Sequence, residues 1–286
     1  MKTILISEVI EKVKEACIHA NLYQDEKIKN KMIEVMKKEE SPLGKEILEQ
    51  LMKSAEISAK EKLAICQDTG VSVFYVEIGE EVKVEGSNGS NLPVLIDAIN
   101  EAVRQAYKEA YFRKSIVSDP LKRVNTNDNT PAMITFDIVK GDKLKISFMA
   151  KGAGCENMSA LKMFAPAVGW KGVKKFIVDT VVNARANPCP PTVVGVGIGG
   201  NFEKVAYLAK KALFRHIDER NSDPYYAALE IELLEEINKS GIGPQGFGGT
   251  ITALDVMIEV LPCHIASLPV AVNIDCHAHR MSTVVL

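Results

Sequence analysis

Thr192-Val193-Val194-Gly195-Val196-Gly197-Ile198, then Gly199-Gly200-Asn201, then Phe202-Glu203-Lys204-Val205-Ala206-Tyr207-Leu208-Ala209, decides the class of this fold. The first seven residues are β-branched or glycine and carry no charge, the composition of a strand buried on both faces. The glycine pair ends the strand. Apolar residues at 205, 208, 209 and 212 then recur at helical spacing to about residue 214. A buried strand feeding a helix through a glycine turn is the repeating unit of an α/β protein.

Upstream, residues 71–78 are β-branched and aromatic and read as another buried strand, and a helix follows from Pro93-Val94 to about 111. Residues 133–139 and 144–149 flank Lys140-Gly141-Asp142, the signal of a β-hairpin. A helix is expected at 172–185. Downstream, a helix at 224–240 leads into Gly241-Ile242-Gly243-Pro244-Gln245-Gly246-Phe247-Gly248-Gly249, and 250–272 has strand character. The first sixty residues read as helices: Leu5, Val9, Val13, Ala16 and Ala20 form one apolar stripe, and 27–40 and 44–57 form two more helices, separated at Ser41-Pro42. There is no internal repeat or low-complexity linker. The expected architecture is α/β, with mixed-sheet lobes after an N-terminal helical segment. Residues 1–286 read as a single domain, 1–60 its helical scaffold and 61–286 its chemical part.

Composition narrows the function classes. The 286 residues carry 35 basic and 37 acidic side chains, a formal charge of −2, which gives neither nucleic acid nor an anionic membrane a complementary surface. No eighteen-residue apolar run suggests a membrane span, and Met1-Lys2-Thr3-Ile4-Leu5-Ile6-Ser7-Glu8 lacks the apolar core of a signal peptide, so a cytoplasmic location is expected. Six scattered cysteines are too few for a disulfide scaffold in a chain of this length.

Three of those cysteines stand in polar loops at strand ends: Cys66-Gln67-Asp68-Thr69-Gly70, Asn187-Pro188-Cys189-Pro190-Pro191 and Asp275-Cys276-His277-Ala278-His279-Arg280. Cys189, between prolines, cannot lie within a helix and reads as part of a stiff, extended loop. The separations, 189 − 66 = 123 and 276 − 189 = 87 residues, are unlike a zinc ribbon or a ferredoxin run, so any shared metal site must be assembled by the fold. Three thiolates on a four-iron cluster would leave one iron open as a Lewis acid, whereas an electron-transfer cluster needs all four closed.

Five segments together resemble a known family. They are Ala64-Ile65-Cys66-Gln67-Asp68-Thr69-Gly70, Asn125-Thr126-Asn127-Asp128-Asn129-Thr130-Pro131, Lys151-Gly152-Ala153-Gly154-Cys155-Glu156-Asn157-Met158-Ser159, Cys189-Pro190-Pro191 with Gly195-Val196-Gly197-Ile198-Gly199-Gly200, and Gly241-Ile242-Gly243-Pro244-Gln245-Gly246. In this order they are similar to the iron–sulfur hydro-lyases that include class I fumarate hydratase and L(+)-tartrate dehydratase, over roughly residues 60–286. The resemblance implies a [4Fe–4S] cluster on Cys66, Cys189 and Cys276, with Gln67, Arg113 and the Gly154 backbone binding the substrate. It implies Asp68 and His264 as the acid/base groups. It further implies an α subunit that interconverts fumarate and (S)-malate, completed by a separate β subunit in an α2β2-type assembly. Tartrate dehydration is the alternative within the class, and a non-catalytic metal-binding module the alternative outside it. A module of that kind would have no use for Gln67, Asp68, Arg113 and His264.

The third segment departs from the family pattern, Gly-Gly-Gly-Ser, at Ala153 and Cys155, which makes Cys155 a competing ligand candidate. Cys17 and Cys263 read as core residues. His277, His279 and Arg280 read as a solvent- or subunit-facing loop. Gly195 to Gly200 also satisfies the G-x-G-x-x-G dinucleotide pattern, with Asp218 beyond it. Asp218 lacks the second strand that such a site requires, so the glycines are expected either to let the helix N-terminus pack close to the cysteine loop or to bind a carboxylate there.

Overall fold

The computed structural model describes residues 2–86 and 92–286 and divides the chain into two compact units. One comprises Met1–Asp25, Ala55–Gly152 and Arg280–Leu286; the other comprises Glu26–Ser54 and Ala153–His279.

In the first unit, strand β1 (Lys2–Leu5) leads into helix α1 (Ile6–Leu22) and pairs in parallel with β3 (Val82–Glu85). The main sheet holds β2 (Val71–Gly79), β4 (Met133–Val139), β5 (Leu144–Lys151) and β10 (Met281–Val285) in the order β10-β5-β2-β4. Helix α1 and helix α4 (Leu92–Glu109) bury their stripes on it. Val9, Val13, Cys17 and Ala20 from α1, with Leu95, Ile99, Ala102, Val103 and Ala106 from α4, join Phe74, Val76, Ile146 and Phe148 in one core. Phe74 and Phe148 are direct cross-strand partners, with ring centroids 5.2 Å apart.

The expected hairpin of β4 and β5 is not formed. β2 lies between them, parallel to β4 and antiparallel to β5. The reason is burial: β2 is apolar on both faces and takes the centre, while β4 alternates and stays partly exposed at the edge. Residues 139–143 therefore wrap the end of β2, and the Val139, Gly141 and Lys143 carbonyls accept the N–H groups of Glu80, Glu81 and Gly79.

The second unit begins with α2 (Glu26–Lys38), and α3 (Pro42–Glu61) runs from this unit into the first. Ser41 Oγ accepts Gly44 N–H at 3.1 Å, so Ser41-Pro42 is the start signal of α3. The sheet order is β6-β9-β7-β8, from β6 (Ala160–Phe164), β7 (Thr192–Gly199), β8 (Ala253–Leu261) and β9 (Leu268–Asp275). Val194 and Val196 of β7 face one core, filled from α6 (Gly169–Ala184) by Val173, Ile177 and Val181 and from α8 (Pro224–Asn238) by Leu229, Leu233 and Ile237.

The opposite face of β7 carries Val193, Gly195, Gly197 and Gly199, and α7 (Phe202–Ala212) lies directly on Gly195 and Gly197. A Cβ at Gly195 would meet Ala209 O at 2.2 Å, and one at Gly197 would meet Val205 O at 2.3 Å. These glycines serve backbone-to-backbone packing. Asp218 ends no strand: its N–H donates to buried Asp255, and its carboxylate pairs with Lys31 at 2.7 Å. The dinucleotide pattern is thus a packing motif. A short helix, α5 (Ala153–Glu156), packs on β9. Among the described residues, no helix is long and apolar enough to cross a membrane.

Candidate active site

In the first unit, the backbone of residues 68–70 is fixed from four sides. Tyr107, buried in α4, donates its hydroxyl to Thr69 O at 2.6 Å, and burial pushes its phenol pKa well above the ordinary range. Arg280 Nη2 donates to Asp68 O at 2.8 Å, and Asn129 Nδ2 donates to Gly70 O at 3.2 Å. Gly70, at φ +72°, lies so close to Lys151 that a Cβ would meet its carbonyl at 2.6 Å, and Gly70 N–H donates to Asp68 Oδ1 at 3.0 Å. On this braced backbone Gln67 is exposed, and Cys66 and Asp68 are half-buried.

Arg113 is held beside the same loop. Thr69 Oγ1 donates to Arg113 O at 2.8 Å, and the exposed guanidinium has no ion-pair partner among the described residues. The Asn125–Pro131 motif (residues 125–131) is the brace behind both. Buried Asn129 bonds Gly70 O on one side and receives Ser115 N–H at 2.8 Å on the other, while Asn125 Nδ2 donates to Lys114 O. A fixed loop offering a thiol, an amide, a carboxylate and an unpaired guanidinium can bind and orient a small carboxylate.

In the second unit, Cys189 and Cys276 belong to adjoining loops. Cys189 is not extended; its φ is +55°, and its N–H donates to Ala186 O at 2.9 Å, closing a tight turn before Pro190. This is a strained backbone for a non-glycine residue. Two partners hold it. Gln245, from the glycine-rich loop, donates both its N–H and its Nε2 to Pro190 O, at 2.8 and 2.7 Å, and His277 Nδ1 donates to Cys189 O at 3.1 Å. His277 thereby ties the Cys276 loop to the Cys189 loop. Cys189 is exposed and Cys276 half-buried, whereas Cys17 is fully buried, with burial pushing its thiol pKa far up. Cys66, Cys189 and Cys276 thus all sit in accessible loops and fill no core, which fits thiolate ligation.

Cys155 lies in α5, and its Sγ, a carboxylate oxygen of Asp275 and Cys276 Sγ fall within 4.8 Å of one another. Gly154, beside it, is exposed and packs against Asn187 O, which a Cβ would meet at 2.9 Å. His264 stands elsewhere. It is exposed in the turn between β8 and β9, accepting Ala266 N–H at its own Nδ1. Cys276 follows the far end of β9, and eight residues of strand at roughly 3.3 Å each separate the two by on the order of 25 Å. His264 therefore lies at the opposite end of this sheet from Cys189 and Cys276.

Three expectations need correction. Cys263 is exposed, because Pro262 ends the β8 ladder and the chain turns outward. His279 and Arg280 are buried, 1% and 3% exposed. His279 Nδ1 donates to Asp275 Oδ2 at 2.8 Å, and Arg280 Nη1 donates to Asn21 Oδ1 at 3.0 Å.

The fumarate hydratase (fumerase) family profile matches residues 10–285. The chain belongs to this family of iron–sulfur hydro-lyases. A Methanocaldococcus jannaschii protein provisionally named L(+)-tartrate dehydratase subunit alpha is 44% identical over 95% of this chain and 94% of its own. The L(+)-tartrate dehydratase subunit alpha of Escherichia coli UTI89 is 34% identical over 89% of this chain and 82% of its own, and that of Shigella boydii is 33% identical over 90% and 84%. In this fumarate hydratase family member, the braces went unread: Tyr107 was not singled out in the sequence, and Asn129, Gln245 and Arg280 stood in quoted motifs without a role. All four act on backbone carbonyls, and no local pattern announces which carbonyl the fold will bring.

Proposed function

We propose that this chain is the α subunit of a two-subunit fumarate hydratase, interconverting fumarate and (S)-malate, with Cys66, Cys189 and Cys276 as the three thiolate ligands of a [4Fe–4S] cluster. When bound, the cluster supplies an iron without a protein thiolate, a Lewis acid for a substrate oxygen. The chain's own residues do the rest. Arg113 pairs with a substrate carboxylate, Gln67 hydrogen-bonds it, and the Gly154 N–H donates to developing negative charge. Asp68, on its immobilised loop, takes or returns the proton. The observation that carries this reading is the bracing of residues 68–70 with Arg113 fastened to the same loop, which holds a proton-transfer group and a carboxylate-binding group in fixed relation.

His264, at the far end of its sheet, cannot share a site with Cys189 and Cys276 of its own chain. In an α2β2 assembly it would serve the site of another copy. The names of the relatives above, which are α subunits, and the charge of the site support a separate β subunit. Arg280 is committed to Asn21 and the Asp68 carbonyl and is 3% exposed, so it is not available to a dianion, and Arg113 alone is insufficient.

The relatives' names favour a second reading, L(+)-tartrate dehydration. The two substrates differ by a hydroxyl that a dedicated site must hydrogen-bond, so the two activities should separate widely. Anaerobic kcat/KM values for malate and for L(+)-tartrate, measured on the reconstituted heteromer, decide the matter. We expect malate to exceed tartrate by at least about 10²-fold. The reverse order would make this a tartrate dehydratase.

A further inference from the structure

Cys155 has no part in the function just proposed, yet it is the residue nearest to being a ligand. It occupies α5, is 4% exposed, and donates its thiol weakly to Pro188 O at 3.4 Å. Its Sγ, an Asp275 carboxylate oxygen and Cys276 Sγ lie within 4.8 Å of one another. Asp275 is 1% exposed and is aimed by the His279 Nδ1–H at 2.8 Å; His279 is itself 1% exposed, and its other ring nitrogen is buried without a hydrogen-bond partner. A carboxylate oriented by an imidazole beside two thiols is the donor set and outer support of a small metal centre. Tetrahedral zinc, with Zn–S near 2.3 Å and Zn–O near 2.0 Å, needs donors about 3.5–3.8 Å apart. Closing by about an ångström lies within side-chain adjustment. Cys276 is half-buried, so the site is not sealed from solvent.

We propose that, in the cluster-free chain, Cys155, Asp275 and Cys276 bind a single thiophilic divalent cation of the zinc class. Binding releases the two thiol protons to solvent and forms two metal–sulfur bonds and one metal–oxygen bond, with no change of oxidation state. The cation and the cluster exclude each other because both use Cys276; that exclusion, though not the site itself, rests on the cluster ligation proposed above. The site would retain Cys276 as a bound, oxidation-protected thiolate until iron and sulfide arrive, and excess zinc would block cluster assembly.

The test uses the full-length chain, freed of iron by anaerobic chelation and titrated with Co²⁺ as an optical probe. One equivalent should bind, giving a sulfur-to-cobalt charge-transfer band of two-thiolate intensity and the strong visible bands of a tetrahedral ion. Zn²⁺ should displace it stoichiometrically. Cys155→Ser and Cys155→Ala should each halve the charge-transfer intensity and weaken binding at least tenfold. Asp275→Asn should weaken binding while keeping both thiolate signals, and Cys17→Ser should change nothing. Circular dichroism of each variant separates lost ligation from lost folding. Unchanged cobalt spectra in both Cys155 variants would overturn the proposal, as would dependence on Cys66 or Cys189 instead, or absence of binding to the folded chain. Wild-type chain preloaded with one Zn²⁺ should resist uptake of iron and sulfide until it is chelated, whereas Cys155→Ser should not. A chain that binds cobalt as described but never takes up iron and sulfide would refute the cluster reading and leave this site standing.

Discussion

Arg280 shows how much at this site depends on one side chain. Its guanidinium, 3% exposed, holds the Asp68 carbonyl with one amino group and Asn21 with the other. Arg280→Gln strands the buried Asn21 Oδ1 and the part-buried Asp68 carbonyl, at a cost of about 1.5–3 kcal/mol, and unfastens the loop that presents Gln67 and Asp68. We expect a lower Tm together with a kcat at least roughly tenfold lower, iron content being unchanged, and partial rescue by Arg280→Lys. Arg113→Met should act on binding instead, raising KM for fumarate by the equivalent of about 2–3 kcal/mol of lost charge-assisted pairing. If Arg113→Met left KM untouched, its proposed grip on the carboxylate would be refuted. Asp68→Asn should lower kcat by roughly 10²–10⁴-fold; a normal kcat would remove it from the proton-transfer step. Cys66, Gln67, Asp68, Gly154, Cys189 and Cys276 could be singled out because they stand in short motifs, whereas Arg113 and His264 came only from the family resemblance. Arg280 was misread as facing solvent or a subunit because its burial depends on Asn21 and Asp68, 259 and 212 positions away.

At the level of elements, glycine and one glutamate are decisive. Gly197→Ala would drive a Cβ to 2.3 Å from Val205 O and 2.7 Å from Ala209 N, both backbone atoms of α7. The helix must lift from β7, and we expect a loss of about 1–3 kcal/mol in chemical denaturation. Glu39, 1% exposed, is a plug for the glycine-rich loop, its carboxylate accepting Thr250, Ile251 and Ser41 N–H groups at 2.8–3.0 Å. Burial pushes its pKa up, but the backbone donors from Thr250, Ser41 and Ile251 outweigh it and hold it below the ordinary carboxylate value. A carboxylate with a depressed folded pKa stabilises above its unfolded pKa and loses that contribution as pH falls through the folded value. The Tm gap between wild type and Glu39→Gln should therefore be wide at neutral pH and narrow below about pH 4. A gap independent of pH would show that the charge is irrelevant. Elements with strong periodicity, such as α1, β2, β7 and α7, were readable from sequence. β6 and β10 were not, because their strand character comes from pairing with β9 and β5. The β4–β5 hairpin was mispredicted because turn chemistry is local and the intrusion of β2 is not.

At the scale of the whole molecule, the family match extends from residue 10 to 285. Two compact units carry the proposed ligands, Cys66 in one and Cys189 and Cys276 in the other. Sequence separation hid this division of labour, since 123 and 87 intervening positions carry no distance information. We expect the cluster-loaded α chain alone to hydrate fumarate at background rate, and addition of the β subunit to restore turnover and protect the cluster from oxygen. The most direct measurement is the iron and sulfide content of the anaerobically reconstituted chain, wild type beside Cys66→Ser, Cys189→Ser, Cys276→Ser, Cys17→Ser and Cys263→Ser. Three-cysteine ligation predicts four irons and four sulfides in the wild type and in the Cys17 and Cys263 variants, with loss in each of the other three. Full iron and sulfide in the Cys66, Cys189 or Cys276 variant would contradict it.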